Sequence, residues 1–282
     1  MNAHMNQIDI RAKAIAFREL HQGPKILVLP NAWECVSARL FEQAGFSAIA
    51  TTSGGIAAVL GYPDGQRISS VEMLTIVGRI AGTVATPVTA DLEAGYGTTT
   101  EQVVETMRQA IAVGVVGANL EDSSGVDHRL DDLEYQVEVI KAIRAMAKSS
   151  EVPFVLNART DVYLLGTGDD ATRFKETVRR AKAYQDAGAD CVFPIGLRER
   201  ETIARLVREI GCPMNVMAGP GAPTIAELEQ LGVRRVTFGT GLMRATLPSI
   251  RKMARELRAS GSCDSLAQTE FTHATVNQLF KQ

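Results

Sequence analysis

No apolar run in this 282-residue chain approaches the ~20 residues that a membrane-spanning helix requires, so no membrane contact is expected. Charge of one sign is missing as well. Thirty Lys and Arg stand against 32 Asp and Glu, a net charge of -2, and the basic field that a nucleic-acid partner needs is absent. Cysteines are few, and Cys35, Cys191, Cys212 and Cys263 never pair as Cys-x-x-Cys; they read as reduced, mostly buried thiols. Met1 to Arg11 is polar and lacks the apolar centre of a signal peptide, so a cytoplasmic protein is expected. No low-complexity or Pro/Ser-rich stretch divides the chain, which reads as one domain over 1–282. No Gly-x-Gly-x-x-Gly follows the first strand-like run, which speaks against a dinucleotide fold.

What is present is a beat. With 45% hydrophobic residues the chain suits one large α/β barrel. A leading helix over Ile8–His21, within residues 1–24, comes first. Strand-like runs then stand at Ile26–Leu29, Ala48–Thr52, Val88–Asp91, Ala118–Glu121, Phe154–Asn157, Cys191–Pro194, Asn215–Met217 and Arg235–Phe238. Stretches of helical length lie between them, including Gln102–Val113, Leu133–Ala147, Thr172–Ala187 and Glu199–Ile210. Ser69 with Glu72, Thr98 with Glu101, Thr224 with Glu227, and Asp131 with Glu134 mark helix starts. Gly45, Gly114, Gly188, Gly211 and Gly232 mark helix ends. Eight such beats favour a (β/α)8 TIM-type barrel over a doubly wound sheet, with residues 242–282 left over as a C-terminal helical extension.

A barrel gathers its chemistry at the C-terminal ends of its strands. Those ends hold Asn31, Ser53-Gly54-Gly55, Asp91 and Glu93, Glu121-Asp122, Arg159 with Asp161, Pro194, Asn215 and Gly239. Asp91 and Glu93 are two apart and share a side if the extended chain continues through them. With Glu121 they make three carboxylates, an oxygen set suited to Mg2+ or Mn2+. Without a cation they would repel one another and raise their own pKa values. Arg159 offers a fork for a substrate carboxylate or an oxyanion, or else a salt bridge to Asp161 or Glu121. Ser53, Gly54 and Gly55 read as a turn whose N–H groups grip a carboxylate, or as an ordinary strand-to-helix turn.

Thr52-Ser53-Gly54-Gly55, Gly61-Tyr62-Pro63-Asp64-Gly65, Asp91-x-Glu93-x-Gly95-Tyr96-Gly97, Asn119-Leu120-Glu121-Asp122 and Asn157-Ala158-Arg159-Thr160-Asp161 together resemble the isocitrate lyase/phosphoenolpyruvate mutase superfamily, from about Leu29 to Gly241. The resemblance implies a (β/α)8 barrel, Mg2+, and 2-oxo or 2-hydroxy carboxylates that react through an enolate. It implies Asp91 as direct metal ligand, with Glu93 and Glu121 holding metal-bound water. Ser53, Gly54 and Arg159 become the carboxylate-binding set, and Asp64 a polar residue beside the metal. Two departures stand out. The loop Ser123–Arg129 lacks the cysteine segment of isocitrate and methylisocitrate lyases, and it lacks the lysine and asparagine of the phosphonate-cleaving members. His128 and Ser124 on that loop, expected to be a mobile gate, join Arg159 and Asp64 as candidate catalytic residues; Tyr62 and Tyr96 are further candidates for the proton donor. Asn215 is expected to touch the distal end of the substrate.

The function expected is Mg2+-dependent carbon–carbon lysis of a small 2-oxo or 2-hydroxy dicarboxylate. The alternatives are decarboxylation or hydrolysis of an oxaloacetate-like substrate, carbon–phosphorus chemistry, and non-catalytic binding of an oxo-acid. Leu247, Ile250, Met253 and Leu257 share one helical face, and a homodimer or homotetramer is expected.

Overall fold

The computed structural model of the chain describes residues 7–124 and 129–281. Its strands, in chain order, are β1 (Leu27–Val28), β2 (Asn31–Ala32), β3 (Ile49–Thr51), β4 (Val88–Asp91), β5 (Gly117–Glu121), β6 (Ser123–Ser124), β7 (Arg129–Leu130), β8 (Val155–Thr160), β9 (Cys191–Pro194), β10 (Asn215–Met217) and β11 (Arg235–Thr237). Parallel pairing runs β2-β3-β4-β5-β8-β9 in one sheet and β1-β11-β10 in the other. A parallel bridge from Val192 to Met214 joins β9 to β10. β1 and β2 are two halves of one stave: the first pairs with β11 and the second with β3, and this closes an eight-stave barrel. The break between them corrects the single strand expected over Ile26–Leu29. It falls at Pro30, which has no N–H to give, although its carbonyl still accepts from Ala50 N at 3.0 Å.

Between the staves lie α2 (Cys35–Gln43), α3 (Ser53–Val59), α4 (Ser70–Thr83), α5 (Thr100–Ala112), α6 (Leu133–Ser149), α7 (Val162–Leu165), α8 (Asp170–Asp186), α9 (Arg200–Ile210) and α10 (Ile225–Gln230). Capping boxes form at Ser69 with Glu72 and at Thr224 with Glu227. Two starts fall one residue later than expected. Thr99 rather than Thr98 caps α5, because Thr98 is taken up by the Gln102 side chain, and Asp132 rather than Asp131 caps α6. The glycines at 45, 114, 188, 211 and 232 all have positive φ, as helix stops require.

The helix α1 (Gln7–Gln22) packs against the N-terminal ends of staves, with Phe17 beside Gly117 at the start of β5 and His21 beside Arg235 at the start of β11. Its Phe17 is fully buried, a placement worth roughly 1.5–3 kcal/mol. Gly117, at the start of β5, makes room for it: a Cβ there would stand 2.9 Å from Phe17 Cε1 and 2.7 Å from Val155 O. Past β11 the chain continues as α11 (Gly241–Ser260), a 3-10 turn (Asp264–Gln268) and α12 (His273–Gln278). Leu279 is buried, and its carbonyl accepts from Arg39 Nε at 2.6 Å, which ties the tail to α2. Among the described residues, no helix is long and apolar enough to cross a membrane.

Candidate functional site

Strand order carries the acids to one rim. Asp91 ends β4, Glu121 ends β5 beside it, and β8 extends to Thr160, so Arg159 sits inside a strand, in register with Glu121 and with Phe193. That strand was expected to stop at Asn157.

The Arg159 guanidinium is held on two sides. Nε and Nη2 donate to the two carboxylate oxygens of Asp161 at 2.6 and 3.0 Å, and Nη1 meets Glu121 Oε2 at 2.5 Å. An arginine has five N–H donors. Two are used in hydrogen bonds to Asp161 and Nη1 is ion-paired with Glu121, so among the described residues each Nη keeps at least one N–H without a hydrogen-bond partner. Burial would lower its pKa, but the charges of Glu121 and Asp161 outweigh that and push it up, so it is permanently cationic. Asp161 is itself fixed by Ser123 Oγ at 2.6 Å, and its backbone N–H donates to Asp122 Oδ1 at 2.9 Å. Asp122 is fully buried and receives Tyr184 Oη at 2.6 Å and Arg180 Nη1 at 3.1 Å. Arg180, Tyr184 and Ser123 thus anchor the Arg159 support. Arg180 and Tyr184 lie in the C-terminal half of α8, with no sequence signal to separate them from surface positions.

The expected turn at Ser53-Gly54-Gly55 is the first turn of α3, capped by Thr52. Ser53 spends both donors on Asp91: its N–H and hydroxyl reach Oδ2 at 3.1 and 2.8 Å. Asn119 Nδ2 approaches Asp91 Oδ1 at 3.3 Å. Gly54 is required by a close approach, because a Cβ there would lie 2.6 Å from Asp64 Oδ2 and 2.9 Å from Thr240 Cγ2. Gly55 likewise accommodates Thr52 and Trp33. Asp64 is exposed as a residue, yet its carboxyl is pushed up by loss of water around it and then by the charge of Asp91.

Glu93 does not continue the strand. Its φ of 51° turns the chain, which corrects the expectation that Asp91 and Glu93 face one side by strand geometry. The buried carboxylate accepts from Tyr96 Oη at 2.6 Å and from Gln66 N at 2.5 Å. Gln66 Oε1 in turn accepts from Tyr96 N at 2.8 Å. Burial pushes Glu93 up to about 7; the Tyr96 hydrogen bond opposes this, and the charges of Asp91 and Asp64 add to it. Glu121 is raised as well, by burial first and against the pull of Arg159. Gln66 was not singled out from sequence, and nothing but its place beside Asp64-Gly65 pointed to it.

Five carboxylates (Asp64, Asp91, Glu93, Glu121 and Asp161) therefore influence one another around a single rim guanidinium. Among the described residues, no three or more His, Cys, Asp or Glu side chains are gathered to hold a metal ion by themselves. The donor set still fits Mg2+. The acids outnumber the cation, and Asp64, Glu93 and Glu121 are raised, by burial first and by neighbouring carboxylates in addition, while Mg2+ uses one or two carboxylates and fills its remaining places with water and substrate oxygens. Asp91 accepts from neutral donors only, Ser53 and Asn119, and carries no ion pair among the described residues, whereas Glu121 is paired with Arg159.

The remaining candidates stand apart. Asn215 opens β10 rather than ending it, which corrects the strand-end place expected for it; it is fully buried, with its amide on Thr237 Oγ1 at 3.1 Å. Tyr62 is exposed. His128 lies outside the described residues, and of Ser124 only the backbone, in β6, is described.

The family model for phosphoenolpyruvate phosphomutase matches residues 17–258. An uncharacterised protein of Mycobacterium tuberculosis (strain ATCC 25618 / H37Rv) is 36% identical, over 86% of this chain and 88% of its own. The 2-methylisocitrate lyase of Escherichia coli (strain K12) is 29% identical over 97% and 93%. The oxaloacetate decarboxylase of Pseudomonas fluorescens (strain SBW25) is 28% identical over 95% and 93%. Among solved structures, a candidate lyase/mutase from Burkholderia cenocepacia J2315 superposes with a TM-score of 0.90, at 36% identity and 98% coverage of each chain. Oxaloacetate acetylhydrolase bound to its product oxalate gives a TM-score of 0.84, at 26% identity over 95% and 93%.

Proposed function

The chain belongs to the isocitrate lyase/phosphoenolpyruvate mutase superfamily of lyases and mutases, and on that premise we propose that it cleaves a carbon–carbon bond in a small 2-oxo or 2-hydroxy dicarboxylate through an enolate. The observation that carries this reading is the Arg159 fork. Its side facing Asp161 and Glu121 is taken, and the guanidinium is near enough to Asp91 to feel its charge, on a rim crowded with carboxylates. Mg2+ held at Asp91, through waters on Glu93 and Glu121, would supply Lewis-acid charge to a substrate oxygen. Arg159 binds and orients the carboxylate that neighbours the breaking bond, and its fixed charge favours negative charge developing there. Ser124 and His128, with Tyr62 and Tyr96 behind them, are the groups from which the proton donor is drawn, and Asp64 stands beside the metal. Ser53, Gly54 and Gly55 shape the wall behind Asp91, and Asn215 is assigned the distal end of the substrate.

Turnover of a panel of 2-hydroxy and 2-oxo diacids, with Mg2+ and with chelator, tests the reading. Release of a 2-oxo acid from a 2-hydroxy diacid supports it. Oxaloacetate consumption alone moves the activity to hydrolysis or decarboxylation. That second reading is favoured by the missing cysteine between Asp122 and Leu130 and by the two relatives that act on oxaloacetate. Turnover of phosphonopyruvate alone points to carbon–phosphorus chemistry, and binding without turnover to a non-catalytic oxo-acid binder. The exposed Leu247, Ile250 and Leu257 of α11 support a homodimer or homotetramer. Light scattering should give at least twice the chain mass, and Ile250→Glu should reduce it.

A further inference from the structure

Below the rim, the barrel holds a fully buried arginine that the proposed chemistry does not use. Arg235 opens β11, paired with Leu27 on one side and Asn215 on the other. Its hydrogen-bond partners are neutral: Nη1 meets His21 Nε2 at 3.4 Å and Nη2 donates to Asn119 Oδ1 at 3.2 Å. Nε has no hydrogen-bond partner among the described residues. The guanidinium lies 6.0 Å from the centroid of the Phe17 ring. Burial pushes it down to about 10, partly offset by Cys191 and Asp91, so it remains charged at neutral pH. A buried charge without a carboxylate on it is costly, and an apolar side chain of the same volume would serve packing better. Its polarity answers to something else.

The hydrogen bonds around it have one direction each. The His21 Nδ1–H is directed to Phe17 O at 2.8 Å, which leaves the Nε2 lone pair facing Arg235. Asn119 Oδ1 accepts twice, from Arg235 Nη2 and from Asn157 Nδ2 at 2.7 Å. Turning that amide over would set its NH2 against the Arg235 donor and its oxygen against the Asp91 carboxylate, so its N–H edge is bound to face Asp91 Oδ1, at 3.3 Å. We propose that Arg235 is a positioning residue for Asp91: it locks the Asn119 amide toward one carboxylate oxygen while Ser53 holds the other, so the carboxylate is oriented before a cation arrives. The leading helix takes part, since His21 and Phe17 hold the guanidinium from below. This rests on the reading of Asp91 as metal ligand.

Charge and position make opposite demands. Were Arg235 only a nearby positive charge, removing it would tighten binding of a cation. If it positions Asp91, removing it weakens binding, by the ~10–100-fold typical of groups that orient metal ligands. The test is Mg2+ affinity by calorimetry, with folding followed by circular dichroism. Arg235→Met is expected to weaken Mg2+ at least tenfold, Arg235→Lys to recover part of the loss, and Asn119→Leu to match Arg235→Met. The double variant should be no worse than either single one. Ile140→Ala, a core truncation in α6, should lower Tm and leave Mg2+ affinity unchanged. Wild-type or tighter affinity in Arg235→Met overturns the proposal. If that variant fails to fold, wild-type affinity in Asn119→Leu does the same. A wild-type protein that binds no Mg2+ overturns the metal reading itself, which is a different result from a variant that binds it normally.

Discussion

The Tyr96 hydroxyl donates a 2.6 Å hydrogen bond to Glu93 Oε1, and both residues hold left-handed backbone conformations, with φ of 56° and 51°. Gln66, the third member of this cluster, has a φ of 55°. Such residues cost of order 1–3 kcal/mol each and persist only where their surroundings over-determine them. Here the surroundings are one another: each of the three hydrogen-bonds the other two. The strain is the cost of holding the Glu93 carboxylate in one orientation.

Tyr96→Phe should therefore cost about 1–3 kcal/mol of stability in urea denaturation, because it leaves a buried carboxylate oxygen without its donor. A loss below about 0.5 kcal/mol, the range of ordinary surface substitutions, would show that the cluster is held elsewhere.

Arg159→Lys keeps the charge and loses the fork. Three contacts to Glu121 and Asp161 and two spare N–H groups cannot all be served by one ammonium. Affinity for oxalate in the presence of Mg2+ should fall roughly 10- to 100-fold, an estimate from the ~1.5–3 kcal/mol of a charged hydrogen bond. Wild-type affinity by calorimetry would rule out recognition through the paired N–H groups.

Asp91→Ala should leave the fold standing and remove the response to metal. A ligand present at 100 times its Kd stabilises by about 2.7 kcal/mol. Saturating Mg2+ should thus raise Tm of the wild type by several degrees and leave the variant unmoved; an equal rise in both assigns the metal to another site.

His21 should make stability fall with acid. Burial, and then the charge of Arg235, hold its pKa down at about 3, below the 6.5 of the free side chain. The unfolded chain takes up the proton first. Stability from this group is complete above pH 6.5 and is lost as pH falls toward 3, which amounts to about 2 kcal/mol at pH 5. Glu93, raised to about 7, acts in the opposite sense, so the measurement is a difference. The stability gap between wild type and His21→Leu should shrink by about 2 kcal/mol from pH 7.5 to pH 5. A constant gap would show that His21 takes up its proton at the same pH in the fold as in the unfolded chain.

The eight-beat barrel was readable because its signals are local. Apolar runs of strand length, glycine stops and two of the capping boxes stand where expected. The acids of the rim were readable because a strand end is a position in sequence. What sequence did not disclose depends on contacts between distant residues. The capture of Asp91 by Ser53, across 38 positions, turned an expected anion nest into the support of an acid. The turn at Glu93 broke a period-2 pattern through the demands of Gln66 and Tyr96. Arg235 looked like one more residue of a strand-like run, and nothing local distinguishes a buried arginine from an exposed one.

The seating of Arg235 between β1 and α1 also sets an order of events at the ribosome. His21 and Arg235 are 214 positions apart, and Leu27 hydrogen-bonds to Arg234. At ~5–20 residues per second, the last stave emerges about 10–40 seconds after the first. For that interval the opening stave has no partner on one edge, and the Phe17 face of α1 has no complete barrel to enter. A nascent chain stalled before β11 should therefore be a good client for chaperones that bind apolar segments, and release should coincide with the appearance of residue 237.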